Sequence, residues 1–541
     1  MNRKLLIIGI DGGNWQVLGP AMAEGYMPYL QSLMETGARG VLESTMPAIT
    51  PTAWASFLNG ANPGSHGVFN FSYWDRKQKT QKYVSSHTLQ RPVYEILSQR
   101  GKRVGLINVP MTYPPHEVNG AMITGILTPS LNSDFTYPTE LKELLLKAVP
   151  DYHIFNLNNI KKLFQQGSLE QFCEQLAAIL ENRVRAAELL LEKDRYDVFM
   201  VHFQATDLVQ HTLWHYLDSN HPQYDPEKRN TIFKLFYKRL DAKIQELREL
   251  FAKNAQTEYL TLVVSDHGFE SHKKRVNLGN WLVQQSYLKL NEKPIQHPRL
   301  KKMTRALRLG RLLKYILPQE TLKEIESSLG LKKEDIDWDG SRAYSLGRNS
   351  EGFIYLLTEN STKRYNTIKE ITEKLQAMQD PKDHRPVVAN VYRKEEIYQG
   401  EFLERIPDLI IEGAPGYTFT GYYAPGGEIF EVVETNIDSH IGKHHKDGIF
   451  IAASNEVKQG EAQRGQIIDI VPTLLYYLQL PLEQQIDGRV LEEIFTTEFR
   501  KKNPLTKFID PPGSHKTAPE DVFNQEDQQK ITKRLEDLGY L

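Results

Sequence analysis

A single cysteine, Cys173, is all that this sequence holds. No internal disulfide can form, and no cysteine cluster can bind a metal. Any metal must be taken by histidine, carboxylate or hydroxyl groups. An excess of charge of one sign is missing too. The formal net charge is −2 over 541 residues, so no global field draws the chain to a nucleic-acid polymer or an anionic membrane. Long apolar runs are absent, and no bilayer span is expected. The first apolar run, Leu5 to Ile10, is shorter than a signal-peptide core and meets Asp11 without a small-residue cleavage site. With a lone cysteine compatible with a reducing compartment, a cytoplasmic location is expected. Neither an internal repeat nor a low-complexity tract is found. What remains is a globular composition, 40% hydrophobic and 25% charged, in a chain too long for one ordinary core.

Leu5 to Ile10 reads as a buried parallel strand, because the run is short, apolar throughout and stopped by Asp11-Gly12-Gly13. Similar runs recur at Val104 to Val109, Asp197 to Phe203, Tyr259 to Val264, Asp408 to Glu412 and Gly448 to Ala453. Amphipathic helical patterns lie between several of them, at Leu169 to Lys193 and Thr231 to Lys253. Strand–helix–strand repetition predicts an α/β sheet covered on both faces. Residues 1–284 read as the first part of that core, 285–337 as an inserted and mainly helical cap, 338–498 as the second part, and 499–541 as a polar tail. Within the cap, Arg299 to Tyr315 carries seven Lys and Arg and no acid. The stretch Arg299 to Lys314 is read as a solvated helix face. A cap offering positive charge to an anionic substrate and a membrane-surface helix are the rival readings.

Chemistry-bearing residues gather at strand ends. Thr50 precedes Pro51 at a helix start and Gly60 follows at its end, so Thr50 is expected to be the N-cap. A hydroxyl there sits beside unpaired N–H groups at the positive end of the helix dipole, a place that favours an anion. Taken alone, most such threonines merely cap. Asp11 follows the first strand, and Asp266-His267-Gly268 follows the strand Tyr259 to Val264. Asp207 lies just past the strand ending at Phe203, with His211 four residues on, which on a helix places both on one face. Ligands of α/β sheets collect outside the carboxyl ends of strands. Each residue alone has a bland reading as a cap or a satisfied histidine; their coincidence at one rim favours a shared site. His440, His444 and His445 crowd just before the strand Gly448 to Ala453. They reach the same rim only if that strand runs antiparallel to the others, and it is predicted to do so. Spacing alone does not choose among the three.

Asp11-Gly12, the Thr50 helix, Asn62-Pro63-Gly64-Ser65-His66-Gly67, Asp207 with His211, Ser265-Asp266-His267-Gly268 and Gly442-Lys443-His444 stand in the order seen in type I phosphodiesterase/nucleotide pyrophosphatases. The sequence resembles that family of the alkaline phosphatase superfamily, in particular its prokaryotic phosphohydrolase-or-phosphomutase branch. Asn108-Val109-Pro110, Tyr113-Pro114-Pro115 and Asp469 to Leu474 resemble that branch as well. The resemblance spans most of the chain, least clearly Gln285 to Asp337. It implies an alkaline phosphatase-like fold and two divalent metal ions. Asp207, His211 and His444 would hold one, and Asp11, Asp266 and His267 the other, with the Thr50 oxygen between them. His444 fits the family's Gly-x-His better than its two neighbours. Mixed nitrogen and oxygen ligands suit Zn²⁺, with Mn²⁺ an alternative. The implied reaction is hydrolysis of a phosphate mono- or diester through a phospho-threonine at Thr50. The implied partner is a small-molecule phosphate ester.

Two departures matter. The family's Asn after the His-Gly motif, which binds a phosphoryl oxygen, falls on Phe71 here, with Asn70 beside it as the candidate substitute. The sulfatase nucleophile motif, Cys/Ser-x-Pro-x-Arg, is absent. Thr52 competes with Thr50 as nucleophile, but a residue past Pro51 is expected inside the first turn. Two other functions remain in view. A phosphomutase would need a basic pocket for re-transfer. A non-catalytic anion-binding relative would lack a ligand, whereas all six expected ligands are present besides Thr50.

Overall fold

A computed structural model of the chain describes residues 3–75, 80–154, 168–291, 336–358, 360–421, 423, 427–433, 441–505 and 522–538. Most of the predicted cap, with the basic stretch Arg299 to Lys314, lies outside these residues, as does His440. Two compact units are present: residues 1–271, 398–406 and 434–541 form the first, and 272–397 with 407–433 the second.

The first unit is built on strands β1 (Lys4–Ile10), β2 (Ala38–Glu43), β3 (Val104–Val109), β4 (Gly120–Thr124), β5 (Thr136–Tyr137), β6 (Val198–Phe203), β7 (Tyr259–Val264), β8 (Gly268–Ser271), β9 (Gly442–His445) and β10 (Asp447–Ala453). The central sheet runs β2–β10–β7–β1–β6–β3–β4–β5, with the short strand Gly460–Glu461 outside β2. β7, β1, β6, β3 and β4 are mutually parallel. β10 lies antiparallel to β7, as its histidine-bearing approach required. β2 and β5 are antiparallel to their neighbours β10 and β4. The class is therefore α/β with a mostly parallel central sheet, in agreement with the sequence.

Every residue of β1, β3 and β6 is buried, which is why these strands read as unbroken apolar runs rather than alternating ones. Helices cover both faces. Pro28–Thr36 and Leu169–Lys193 each pack against Lys238–Ala255 and form one group with it. Thr50–Asn59, Val93–Gln99 and Ile470–Tyr477 form the other. Asp241 joins members of the first group by accepting the Tyr29 and Leu30 N–H groups at 3.0 and 2.8 Å. In the second, the fully buried Glu483 receives Arg91 (2.5 Å) and Arg100 (3.2 Å). A buried carboxylate is tolerable only when paired in this way.

The run at Asp408 to Glu412 does not join the central sheet. It forms the strand Leu409–Gly413 in the second unit, flanked antiparallel by Gly352–Leu356 and Val388–Arg393. A short apolar run is compatible with either setting. The helix predicted from Thr231 is also more broken than expected. A π turn, Phe233–Tyr237, separates Pro226–Ile232 from Lys238–Ala255.

Candidate active site

Because β1, β6 and β7 are parallel neighbours, their carboxyl ends open on one rim. Asp11 follows β1, Asp266 and His267 follow β7, and Asp207 with His211 lies on the helix Ala205–Leu217 that leaves β6. β9 pairs antiparallel with β8, setting His444 opposite Phe269, and β10 then descends beside β7. The turn after β1 is tied down on several sides. Thr206 Oγ1 donates to Asp11 O at 2.5 Å, Gln210 Nε2 to Gly12 O at 2.8 Å, and Ser265 Oγ to Gly13 O at 2.7 Å. Gly12 adopts φ +69°, and a Cβ there would sit 2.4 Å from the Phe269 ring. Only glycine meets both demands.

Six predicted ligands are thereby brought together. His267 Nε2 lies 3.4 Å from Asp11 Oδ1 and 3.3 Å from Asp266 Oδ2. His444 Nε2 lies 3.2 Å from Asp207 Oδ1, and His211 Nε2 lies 3.4 Å from the same oxygen. The Nε2 atoms of His211 and His444 are 2.9 Å apart. Two trios present ligand atoms within 4.8 Å of one another: Asp11, Asp266 and His267, and Asp207, His267 and His444. His267 belongs to both, 4.0 Å from Asp207 Oδ1. All these side chains are buried.

The three histidines share one arrangement. Nδ1 faces a backbone carbonyl in each: Gly442 O at 2.9 Å from His211, Gly268 O at 3.1 Å from His267, and Ala48 O at 2.9 Å from His444. A carbonyl only accepts, so Nδ1 carries a hydrogen in each ring, and Nε2 is turned inward toward the carboxylates. Fixing the tautomer through the outer nitrogen is how metal-binding histidines are oriented. Burial holds the His267 ring well below its ordinary range and lowers that of His444, so both are neutral.

The carboxylates complete the electrostatics. Burial, reinforced by the charges of Asp266 and Asp207, raises Asp11 well above the usual carboxylate range. Burial pushes Asp266 up to about 7, against the stabilising Gly12 N–H at 3.1 Å. Asp207 also suffers burial, but His211 and His444 outweigh it and hold the group well below the usual range. Both Asp11 oxygens, Asp266 Oδ2 and His267 Nε2 are buried with no hydrogen-bond partner among the described residues. Orphaned acceptors in a water-excluded cluster are costly unless a cation is supplied. The donor set thus fits two divalent ions.

Thr50 is fully buried at the start of the helix Thr50–Asn59. Ile49, with extended φ −129° and ψ 146°, occupies the cap position, so Thr50 opens the first turn instead of capping it. The difference is one residue, within the usual fraying of helix ends. Gly60 closes the helix at φ +62°, as expected. The Ala48 carbonyl held by His444 ties the segment before Thr50 to the ligand cluster. The His-Gly motif supports the helix from beside it. His66 Nδ1 accepts from Val68 N–H at 3.2 Å, so its Nε2 donates to Ser56 Oγ at 2.8 Å. Asn70 spends its Oδ1 on the Phe71 N–H at 2.7 Å, while Phe71 is wholly buried. One neighbour of the site was missed from sequence. His202 of β6 places Nε2 3.3 Å from Asp11 Oδ2, and the sign available was a histidine inside an otherwise apolar strand.

Two buried Asp and His trios at the carboxyl rim of a mostly parallel sheet define a metal-dependent hydrolase class. The chain belongs to the type I phosphodiesterase/nucleotide pyrophosphatase family, whose model matches residues 5–447. No curated protein sequence matches it. Among solved structures it resembles human ectonucleotide pyrophosphatase/phosphodiesterase 5 at 12% identity and TM-score 0.52, covering 92% of this chain and 100% of that one. Phosphonoacetate hydrolase from Sinorhizobium meliloti 1021, in complex with phosphonoformate, resembles it at 16% identity and TM-score 0.56, covering 88% and 95%. An inactive threonine-to-alanine variant of the murine phosphodiesterase 5, in complex with AMP, matches at 13% identity and TM-score 0.51, covering 91% and 100%. At these identities the likeness is one of fold. Among the described residues no helix is long and apolar enough to cross a membrane.

Proposed function

We propose that this chain hydrolyses a small phosphate ester, monoester or diester, through a covalent phospho-threonine at Thr50. The observation that carries the reading is the inward-facing set of three carboxylates and three tautomer-fixed histidines. Asp207, His211 and His444 would hold one divalent ion and Asp11, Asp266 and His267 the other, with His267 also within 4.0 Å of Asp207 Oδ1. Zn²⁺ is the proposed metal on the mixed donor set, with Mn²⁺ the alternative. When bound, such ions polarise phosphoryl oxygens and make a hydroxyl a better nucleophile at neutral pH. Three ionised carboxylates carry three negative charges and two divalent ions four positive ones, leaving a surplus that favours an anionic phosphoryl group.

Thr50 Oγ would attack phosphorus as its proton leaves, forming the Oγ–P bond and breaking the bond to the alcohol, which departs with a proton. Water then cleaves Oγ–P and restores the Thr50 hydroxyl. Free backbone N–H groups past Pro51 in the first helical turn would favour the developing negative charge. The inactive threonine variant of the murine relative is in keeping with such a nucleophile. The lone buried Cys173 suits a reducing compartment, and the cytoplasm is the proposed location. The test is turnover of aryl phosphomonoesters and phosphodiesters under Zn²⁺ and Mn²⁺. Thr50→Ala is expected to lose activity on the order of 10³-fold or more, with Thr52→Ala remaining active. Wild-type turnover preserved in Thr50→Ala would overturn the assignment.

A further inference from the structure

Phe269 meets all three histidines of the cluster, and none of the proposed steps uses it. The side chain is buried on β8, one residue past Gly268 of the Asp-His-Gly motif. Its ring packs against those of His211 and His444 in T-shaped pairs, with centroids 4.8 and 5.1 Å away and planes at 76° and 70°. The His267 ring lies 5.6 Å away, tilted by 54°. The Trp214 indole stacks on Phe269 at 5.9 Å and 28°. That indole is itself anchored, since its Nε1 donates to Ser271 Oγ at 3.0 Å and Ser271 Oγ donates to Asp218 Oδ2 at 2.7 Å. Two glycines make room for the phenyl ring. A Cβ at Gly12 would run into Phe269 Cε2, and one at Gly442 would fall 3.0 Å from Phe269 Cδ1. Both adjoin candidate ligands: Gly12 follows Asp11, and Gly442 stands two residues before His444.

A hydrogen bond from Nδ1 to a carbonyl holds one atom of an imidazole and leaves the ring able to pivot about that bond. An aromatic neighbour in a close-packed interior removes the pivot. We propose that Phe269 is a positioning residue, which fixes the planes of the His211 and His444 rings so that their Nε2 atoms stay aimed at the ion shared with Asp207. Groups behind metal ligands commonly fill this role; here an apolar ring fills it beside the hydrogen bonds. Trp214, tied down through Ser271, keeps Phe269 from turning. Without the phenyl ring every ligand is still present, but two of them are no longer preorganised. The inference rests on the two-ion reading above.

The test is calorimetric titration of the metal-free protein with Zn²⁺ and with Mn²⁺, alongside urea unfolding of the metal-free form. Wild type is expected to bind two ions. Phe269→Leu keeps an apolar side chain and removes the ring. It is expected to weaken one of the two binding steps by about 10–100-fold and to change the other much less. Phe251→Leu is the control, because Phe251 is also buried but packs on Tyr259, the first residue of β7, at the end of that strand away from the rim. It is expected to lower the urea midpoint and leave both affinities at their wild-type values. Should Phe269→Leu fail to fold, Phe269→Met makes the same comparison with a side chain nearer in volume. Two wild-type affinities in the folded Leu or Met variant would overturn the proposal and leave the two-ion reading standing. So would an equal loss of affinity in Phe251→Leu, which would mark a general loosening of the core. A wild-type protein that binds no divalent ion would overturn both.

Discussion

Metal binding by this site should release protons, and the number should depend on pH in a way set by the three carboxylates. Asp266 has its proton affinity raised by burial to a midpoint of about 7. Asp11 is raised well above the ordinary range for the same reason. Asp207 is held below it by His211 and His444. A raised folded-state value means that the proton is retained below that value, so competition with the cation is present below pH 7 and disappears as pH rises through about 7. Asp266 is therefore mostly protonated at pH 6 and mostly ionised at pH 8, and having to ionise it at pH 6 lowers the apparent affinity by about an order of magnitude. Asp207 is already ionised and contributes no proton in this window. His267 and His444 are neutral and contribute none either. The assay is titration with Zn²⁺ at pH 6 and pH 8 in buffers of different ionisation enthalpy, which yields the proton count directly. More than one proton is expected at pH 6, from Asp266 and Asp11 together, and fewer at pH 8. Asp266→Asn should abolish most of the difference. Equal proton release at the two pH values would refute the electrostatic account of the rim.

Gly12→Ala should lower both metal affinity and stability, the latter by about 1–3 kcal/mol, since φ +69° and the Phe269 ring both oppose a Cβ; an unchanged urea midpoint would count against it. Glu483→Gln leaves Arg91 and Arg100 without their shared buried carboxylate, and a loss of about 3 kcal/mol in chemical denaturation is expected, with catalysis per folded molecule little altered.

The parallel strands and the ligands that follow them were legible because burial on both faces leaves an apolar run, and such a run ending in Asp-Gly or Asp-His-Gly marks a strand end that carries polar chemistry. The antiparallel course of β10 was legible for a chemical reason: His444 precedes its strand, whereas the other ligands follow theirs. The strand Leu409–Gly413 was placed in the wrong sheet because its run has the same length and composition as the others, and sheet membership is decided by partners far away in sequence. The one-residue shift at Thr50 has a similar origin. Thr-Pro fits both the cap and the first turn, and the extended conformation at Ile49 decides between them. His202 escaped notice because a histidine in an apolar strand carries no spacing signal. Its nearness to Asp11 comes from the pairing of β6 with β1, made by residues far apart in the chain.

The order of the ligands along the chain has a consequence for biogenesis. Asp11 is translated before Asp266 and His267, and His444 only after the whole of 272–397 and 407–433 has been made. A nascent chain therefore holds one trio, Asp11, Asp266 and His267, long before the second can close. Metal captured early at that trio would stabilise the partly made sheet, while a second ion at the other trio would have to wait until translation has passed β9.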